Sequence, residues 1–506
     1  MSATIGSALD WWARTKGGTV ALVCDGVELT YRQLRDWSSR FARTLIDVHG
    51  VAPGDRIGVL GPNSLQWPVA ALGVLKSGAI LIPLNSRYKA AELRKIADDA
   101  GISVVVAAPG YEQLAHETGA LGTTLAVVAF EELESVRDGG IDDFRVDREP
   151  DNPIAVLFTS GSTGMSKGVI LTGNTLLAIV LEQTLTEEGF RPGSTALLLL
   201  PLAFTPGLVY GVMITTVLGG TLVVEPELRP GNAVRLLQKH RVQAIFGVPL
   251  IFDAMSRTPE FADADLSALK TAVTGGAAVP RDLLERWAVK GVLLRQIYGM
   301  TEAGGIATAT ICGEALDHPD RCGSGSIFTE VKVFTADGTQ AAPGEPGELV
   351  VRGPMVTPGY WNDPETTDRA IRDGWLHSGD LGVADEEGRI QFVDRLKDLI
   401  ISGGINISPV ELETAIGDIE GVDEVAVIAA DDDRFGETPA AIVTTSAGVD
   451  ADTVIKHCDR VLADFKIPRY VVIRQQPLPR LPSGKIAKQQ IRAEYKDLTT
   501  RYTKVR

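Results

Sequence analysis

Between Leu29 and Gly110 the chain alternates two patterns of apolar and polar positions. Short apolar runs, RIGVLG at 56–61 and AILIPL at 79–84, have the length and make-up of buried strands, whereas YRQLRDWSSRFARTLIDV and AAELRKIADDAG carry apolar residues at helical spacing. Strands separated by helices in this way predict an α/β domain with parallel strands. The pattern returns near 196–224, runs through a helix at NAVRLLQKHRV into the strand QAIFGVP, and recurs around LKTAVTGGA and VLLRQIYGM. Open sheets of this kind place their ligands at strand ends, so polar clusters directly after strands are where chemistry is expected.

No charged residue occurs from Thr195 to Val224, which raises the question of a membrane span. Pro201, Pro206, Gly207, Gly211, Gly219 and Gly220 interrupt the segment, and a lipid-exposed span must satisfy its own backbone without such breaks. A buried strand, turn, short helix and second strand are predicted instead.

From about Thr335 to Pro364 the composition shifts to proline, glycine and short β-rich runs such as GELVVRG, predicting a smaller β subdomain. A new unit opens around DRLKDLIISGG at 394–404, where helix VELETAI, strands EVAVIAA and AAIVTT and helix DTVIKHCDRVLAD predict a mixed α+β module. The expected fold is α/β: a large N-terminal domain, residues 1–396, of α/β subdomains plus a β subdomain, then a small α+β C-terminal domain, residues 397–506. A chain of 506 residues exceeds what one core organises, which agrees with this division.

Charge narrows the partners. The formal net charge of −16 repels nucleic-acid backbones and anionic lipid, so a nucleotide must be held by a local site. Cys24, Cys312, Cys322 and Cys458 form no C-x-x-C pair and no metal-ligand spacing with the six histidines, as expected of small buried residues in a reducing compartment. The N-terminal residues lack a basic start followed by an apolar stretch, and a cytoplasmic location is expected.

The most informative stretch is TSGSTGMSKG, Thr159 to Gly168, set between the apolar runs IAVLF and VILT. Its backbone N–H groups, hydroxyls and single lysine can converge on phosphate oxygens; a polar hairpin turn is the plainer alternative. A Walker loop is excluded, because it would need glycine at Ser166 and a hydroxyl at Gly168.

With this loop the chain resembles the adenylate-forming superfamily of acyl-CoA synthetases, aryl-CoA ligases, luciferases and peptide-synthetase adenylation domains. The likeness runs in order from about Leu29 to Lys485, with Met165 replacing the family's usual proline. The resemblance implies that Thr159, Ser160, Gly161, Ser162, Thr163, Gly164 and Lys167 bind the phosphates of ATP. Gly275, Gly276 and Ala277 of GGA, with Tyr298 and Gly299 of YGMTE, would then form the adenine site. Thr301 would reach the α-phosphate and Glu302 would bind Mg²⁺, which favours one or two carboxylates plus phosphate oxygens. Asp380 in GWLHSGDLG would accept from the ribose hydroxyls, supported by Arg395. Lys485 of PSGK would be the catalytic lysine, offsetting repulsion between the attacking carboxylate and the α-phosphate.

In the family a mobile C-terminal domain rotates between two half-reactions, and Lys397 matches the hinge. Gly403 and Gly404 would face the pantetheine arm of CoA, and Phe435, Phe465 and Arg469 its nucleotide. The acid pocket would draw on Phe204, Val248, Ile297 and Gly304. Phe204 stands where many relatives carry histidine, and Ile297 where glycine is common, as in ligases of the chlorobenzoate type. No charge occurs in LAFTPGLVYG, so an apolar aromatic, alicyclic or short- to medium-chain acid is expected. Amino-acid adenylation domains place an aspartate in that segment, and only 21 residues follow Lys485, so free CoA rather than a fused carrier is the expected acceptor. The expected function is an ATP-dependent carboxylate-CoA ligase with a homodimer as candidate assembly. An acyl-AMP ligase serving a separate carrier, luciferase-like oxidation and a non-catalytic ATP-binding regulator remain the alternatives.

Overall fold

The computed structural model describes residues 4–118, 125–159, 167–311, 313–396, 398–402, 405–432, 434–481 and 484–505. Ser160, Gly161, Ser162, Thr163 and Gly164 of the expected phosphate loop, the expected hinge Lys397, and Gly403 and Gly404 lie outside the described residues. The chain divides into two compact units, Met1–Val331 with Val350–His377, and Lys332–Leu349 with Ser378–Arg506.

After the N-terminal helix the first unit forms a hairpin, Val20–Cys24 (β1) and Val27–Thr30 (β2). Six strands then build one sheet: Arg56–Gly61 (β3), Ile80–Asn85 (β4), Ile102–Ala107 (β5), Ala126–Ala129 (β6), Pro153–Thr159 (β7) and Lys167–Thr172 (β8). Their order is β6-β5-β3-β4-β7-β8, parallel except for the β7–β8 hairpin at the edge. Thr195–Leu198 (β9), Thr221–Val224 (β10), Ala244–Gly247 (β11), Thr271–Gly275 (β12), Leu294–Tyr298 (β13) and Thr308–Ala309 (β14) join the first hairpin in an eight-stranded sheet. Its order is β14-β13-β12-β11-β9-β10-β1-β2, again parallel inside and antiparallel at both edges. The α/β class read from the strand and helix patterns is therefore the one observed.

Local chemistry starts and seats the helices. Thr30 caps helix Tyr31–Asp47: its hydroxyl accepts from the Gln33 N–H at 3.3 Å, and the Gln33 side chain accepts from the Thr30 N–H at 2.8 Å. Leu34, Trp37, Phe41 and Leu45, at helical spacing, are buried on one face. Helix Gln66–Lys76 closes onto that face through Gly73, where a Cβ would lie 2.7 Å from the Phe41 ring. At the end of that helix the fully buried Lys76 donates to Asp10 at 2.5 Å, and Arg145 donates to the other oxygen of the same carboxylate. This ion triad anchors the N-terminal helix Ile5–Thr15.

The charge-free segment folds inside this unit as β9, a turn, a helix and β10. Pro206–Met213 is wound as a π-helix and is followed by one α-turn, Ile214–Val217, with almost every residue buried. No helix among the described residues is long and apolar enough to cross a membrane.

In the second unit Asp380–Ala384 pairs antiparallel with Ile390–Arg395. The C-terminal sheet centres on Gly436–Thr445, antiparallel to Val422–Asp432 and parallel to Tyr470–Arg474. Its period-two pattern divides the core in two. Val427 and Val443 bury against Leu412, Ile416, Val454 and Cys458, while Ala426, Ile428 and Ile442 bury against Ile491 and Tyr495. Both faces are thus covered by helices. Burial pushes the Cys24 and Cys458 thiols up to about 11, which makes them inert packing residues.

Candidate active site

The residues singled out in the first unit lie at strand ends. Thr159 and Lys167 face each other as the last cross-strand pair between β7 and β8. Gly168 is small for a packing reason: a Cβ there would lie 2.7 Å from Val156, 3.0 Å from Phe158 and 3.2 Å from Trp361. The Trp361 N–H donates to the Gly168 carbonyl at 2.7 Å, so the segment around Tyr360 lies directly against β8.

At the ends of β12 and β13, Gly275 pairs in register with Ile297, and a Cβ at Gly275 would lie 2.4 Å from Ile297 Cγ1. Gly276 has φ +78°, where an L side chain is strained. Ala277 is exposed, Val248 and Ile297 are half-buried, and Tyr298 is buried. The chain then turns sharply. Gly299 would meet the Gly305 carbonyl at 2.0 Å if it carried a Cβ, and Gly304 and Gly305 have φ +72° and +105°. Thr301 and Glu302 sit on the short 3-10 turn Thr301–Ala303 inside this bend.

Two contacts fix that turn. The Thr301 and Thr205 hydroxyls are 2.9 Å apart and share a hydrogen bond. Tyr360 donates its phenol proton to Glu302 Oε1 at 2.9 Å, and both residues are buried. Thr205 precedes the π-helix, whose Tyr210 donates to the Gly304 carbonyl at 3.0 Å and packs on Phe246 at 4.8 Å between ring centres. Phe204 is half-buried. A small cavity of about 10 Å³, room for one water, lies among Thr205, Val209, Thr301, Gly304 and Met355. Thr301, Gly304 and the head of the LAFTPGLVYG segment are thus brought together. Sequence reasoning missed Thr205 and Tyr360.

In the second unit Asp380 and Arg395 are a cross-strand pair, with Arg395 Nε 3.5 Å from Asp380 Oδ1. Asp380 is buried and Arg395 exposed. Lys485 leaves a tight turn in which the Leu481 N–H donates to its carbonyl at 2.7 Å and Gly484 has φ +86°. The residue is exposed overall, yet protein crowds its ammonium. That desolvation, assisted by the Arg395 charge and opposed by Asp380, lowers its pKa from the ordinary lysine value. The three expected residues therefore sense one another's charge.

Phe435 and Arg469 are also brought together, the guanidinium carbon 4.5 Å from the ring centre, with Arg434 at 4.9 Å. Asp432 holds Arg469 at 3.5 Å and Lys504 at 3.0 Å. Phe465 sits exposed on its own turn, Asp464–Lys466.

The family model described as AMP-binding enzyme matches residues 9–361, and that described as AMP-binding enzyme C-terminal domain matches residues 411–485. A feruloyl-CoA synthase of Amycolatopsis sp is 36% identical over 492 residues, which cover 96% of this chain and 97% of that protein. The long-chain-fatty-acid–CoA ligase FadD13 of Mycobacterium tuberculosis is 34% identical over 475 residues, 93% of each chain. Among solved structures, ATP-bound MatB from Rhodopseudomonas palustris matches with a TM-score of 0.88 at 29% identity, covering 98% of this chain and 100% of that one. Parallel sheets with strand-end polar turns, together with these matches, define a nucleotide-dependent ligase fold, and the chain belongs to the AMP-binding enzyme family. Within the adenylate-forming enzymes it falls in the acyl-CoA synthetase branch, an acid–thiol ligase.

Proposed function

We propose that the protein activates an apolar acid of aromatic, alicyclic or short- to medium-chain type and passes it to CoA. A carboxylate oxygen attacks the α-phosphorus of ATP, the bond to the bridging oxygen breaks, and pyrophosphate leaves. The CoA thiol then attacks the acyl carbon, loses its proton, and AMP departs. One observation carries this reading: the Thr205–Thr301 hydrogen bond sets the expected α-phosphate residue against the head of the uncharged acid segment. The names of the relatives, a feruloyl-CoA synthase and a fatty-acid ligase, support an acid with an apolar body.

Residue roles follow from chemistry and position. Thr159 and Lys167, with Ser160, Gly161, Ser162, Thr163 and Gly164 between them in sequence, hold phosphate oxygens. Gly275, Gly276, Ala277, Tyr298 and Gly299 form the adenine wall. Thr301 donates to the α-phosphate. Asp380 accepts from the ribose diol while Arg395 supports it, and Lys485 supplies positive charge where two anions meet. Phe204, Val248, Ile297 and Gly304 bound the acid. Phe435, Phe465 and Arg469 bind the CoA nucleotide, and Gly403 and Gly404 leave room for its arm.

Mg²⁺ belongs to the same proposal. Among the described residues no group of three His, Cys, Asp or Glu side chains could hold a metal by protein ligands alone. Glu302 is a single buried carboxylate, which fits an ion that takes one or two carboxylates and draws its other ligands from phosphate and water. When bound there, the ion would neutralise charge on the phosphates.

The two chemical steps need different surroundings at the acyl carbon, so residues 397–506 are proposed to rotate about Lys397 between them. A homodimer in the cytoplasm completes the proposal. Its support is an exposed apolar strip, Leu181 and Leu185 one turn apart on helix Gly173–Thr186, beside Ile327 and Phe328, whose loop Glu182 ties to that helix.

Pyrophosphate release measured over a panel of acids, with and without CoA, tests the reading. Acid-dependent release that yields thioester only with CoA is expected. Release without any CoA thioester would indicate a carrier-dependent AMP ligase, and no release with any acid would overturn the ligase assignment.

A further inference from the structure

Tyr360 lies in the segment GYWN, to which the sequence reading gave no role, yet it touches both ends of the expected phosphate site. Its phenol donates to Glu302 Oε1 at 2.9 Å, and the Lys167 ammonium lies 5.1 Å from its ring centre, within reach of a cation–π contact. Three further bonds hold the segment in place. The Ile170 N–H donates to the Gly359 carbonyl at 3.2 Å, the Trp361 N–H to the Gly168 carbonyl at 2.7 Å, and the Thr357 N–H to the Glu302 carbonyl at 2.8 Å. Gly359 has φ +151°, and a Cβ there would lie 2.6 Å from Thr367, so the position before Tyr360 calls for glycine. Tyr360 itself is 7% exposed, and its amide donates to Thr367 at 2.9 Å.

We propose that Tyr360 is the positioning residue of the phosphate site: one side chain that orients the Glu302 carboxylate through its hydroxyl and seats the Lys167 ammonium on its ring. This rests on the nucleotide site proposed above. The hydroxyl fixes one carboxylate oxygen, leaving the other to a ligand. Partners that orient a metal-binding carboxylate typically change metal affinity or activity 10- to 100-fold when removed. The ring contact acts on a different group, so the two functions are separable by substitution.

Tyr360→Phe removes the hydroxyl and keeps the ring; Tyr360→Leu removes both. The Phe variant is expected to raise the Mg²⁺ concentration for half-maximal adenylation about 10- to 100-fold, with KM for ATP at saturating Mg²⁺ within about threefold. Mn²⁺ binding by electron paramagnetic resonance, with a non-hydrolysable ATP analogue and no turnover, should weaken in parallel. The Leu variant should add a rise in KM for ATP that persists at saturating Mg²⁺. Consumption of presynthesised acyl-adenylate by CoA, which needs neither contact, should stay within about twofold in the Phe variant. Should the Leu variant fail to fold, the Phe variant carries the test alone. A Phe variant with unchanged Mg²⁺ half-saturation and Mn²⁺ binding overturns the proposal, as does an equal fall in both half-reactions. Absence of acid-dependent pyrophosphate release in the unaltered protein would instead remove the ligase reading itself.

Discussion

Truncating Lys485 to alanine separates the two half-reactions. Its backbone is held by the Leu481–Lys485 hydrogen bond and the Gly484 turn, neither of which involves the side chain. The residue is exposed, so the substitution should change stability by no more than about 0.5 kcal/mol. On the proposed role, what is lost is one unit of positive charge at the phosphate being attacked. Two unit charges about 4 Å apart interact by about 4 kcal/mol at the effective dielectric constant of about 20 that suits partly buried sites. Removal of one preorganised contact to developing transition-state charge costs about 2.7–4 kcal/mol, or 10²- to 10³-fold. The two routes agree, and acyl-adenylate formation should fall by about two to three orders of magnitude. Single-turnover pyrophosphate release measures this step, and CoA-dependent consumption of presynthesised adenylate measures the other, which should fall less than about tenfold. Equal losses in both steps, with unchanged circular dichroism, would refute the argument that the charge acts on adenylation.

The same lysine sets a pH dependence. Crowding of the ammonium and the Arg395 charge lower its pKa, so it loses its proton at a lower pH than an ordinary lysine. In the proposed role the active form is the protonated one; kcat/KM for adenylation should therefore be full at low pH on this limb and fall as pH rises through the lowered value. Lys485→Arg stays charged and should move that limb to higher pH even where its rate is poorer.

Ile297→Gly uncovers Gly275 and should favour larger acids by about 1 to 3 kcal/mol in relative kcat/KM; an unchanged ratio over a graded series removes Ile297 from the pocket wall. Thr205→Val breaks the bond to Thr301 and should slow adenylation about 2- to 10-fold, with Thr205→Ser restoring it. Asp10→Ala strands the buried Lys76 and should cost about 3–5 kcal/mol of stability by denaturant unfolding, more than Lys76→Met. Lys397→Pro should keep adenylation within about tenfold yet sharply slow thioester formation, because proline fixes φ at a position proposed to turn; undiminished thioester formation would count against a hinge there.

What the sequence made legible, and what it hid, follows from how each residue earns its place. The strand-helix alternation was readable because buried parallel strands such as Ile80–Asn85 are apolar up to their last residue and helices such as Tyr31–Asp47 bury one periodic face. The strand ends at Gly275, Tyr298 and Thr159 were readable because glycine and hydroxyl clusters interrupt that alternation abruptly. A π-wound rather than α-wound Pro206–Met213 leaves no mark on a fully apolar stretch, since with no polar face the two windings have the same pattern. Glycines carry a similar ambiguity. Gly275 reads as room for a flat base, but the structure gives a second reason, the approach of Ile297, and Gly168 is small for Trp361 as much as for a phosphate. Tyr360 lay furthest from view, because its partners Lys167 and Glu302 are 193 and 58 positions away and are brought to it by tertiary bonds, those of Gly359 and Trp361 to β8 and of Thr357 to Glu302. One signal was present: a tyrosine directly after a glycine, in the proline- and glycine-rich stretch read as part of a β subdomain, is an aromatic ring outside any apolar run that would bury it. Such a ring must be claimed by something distant, and here the claimants are the two charges between which the nucleotide's phosphates are proposed to bind.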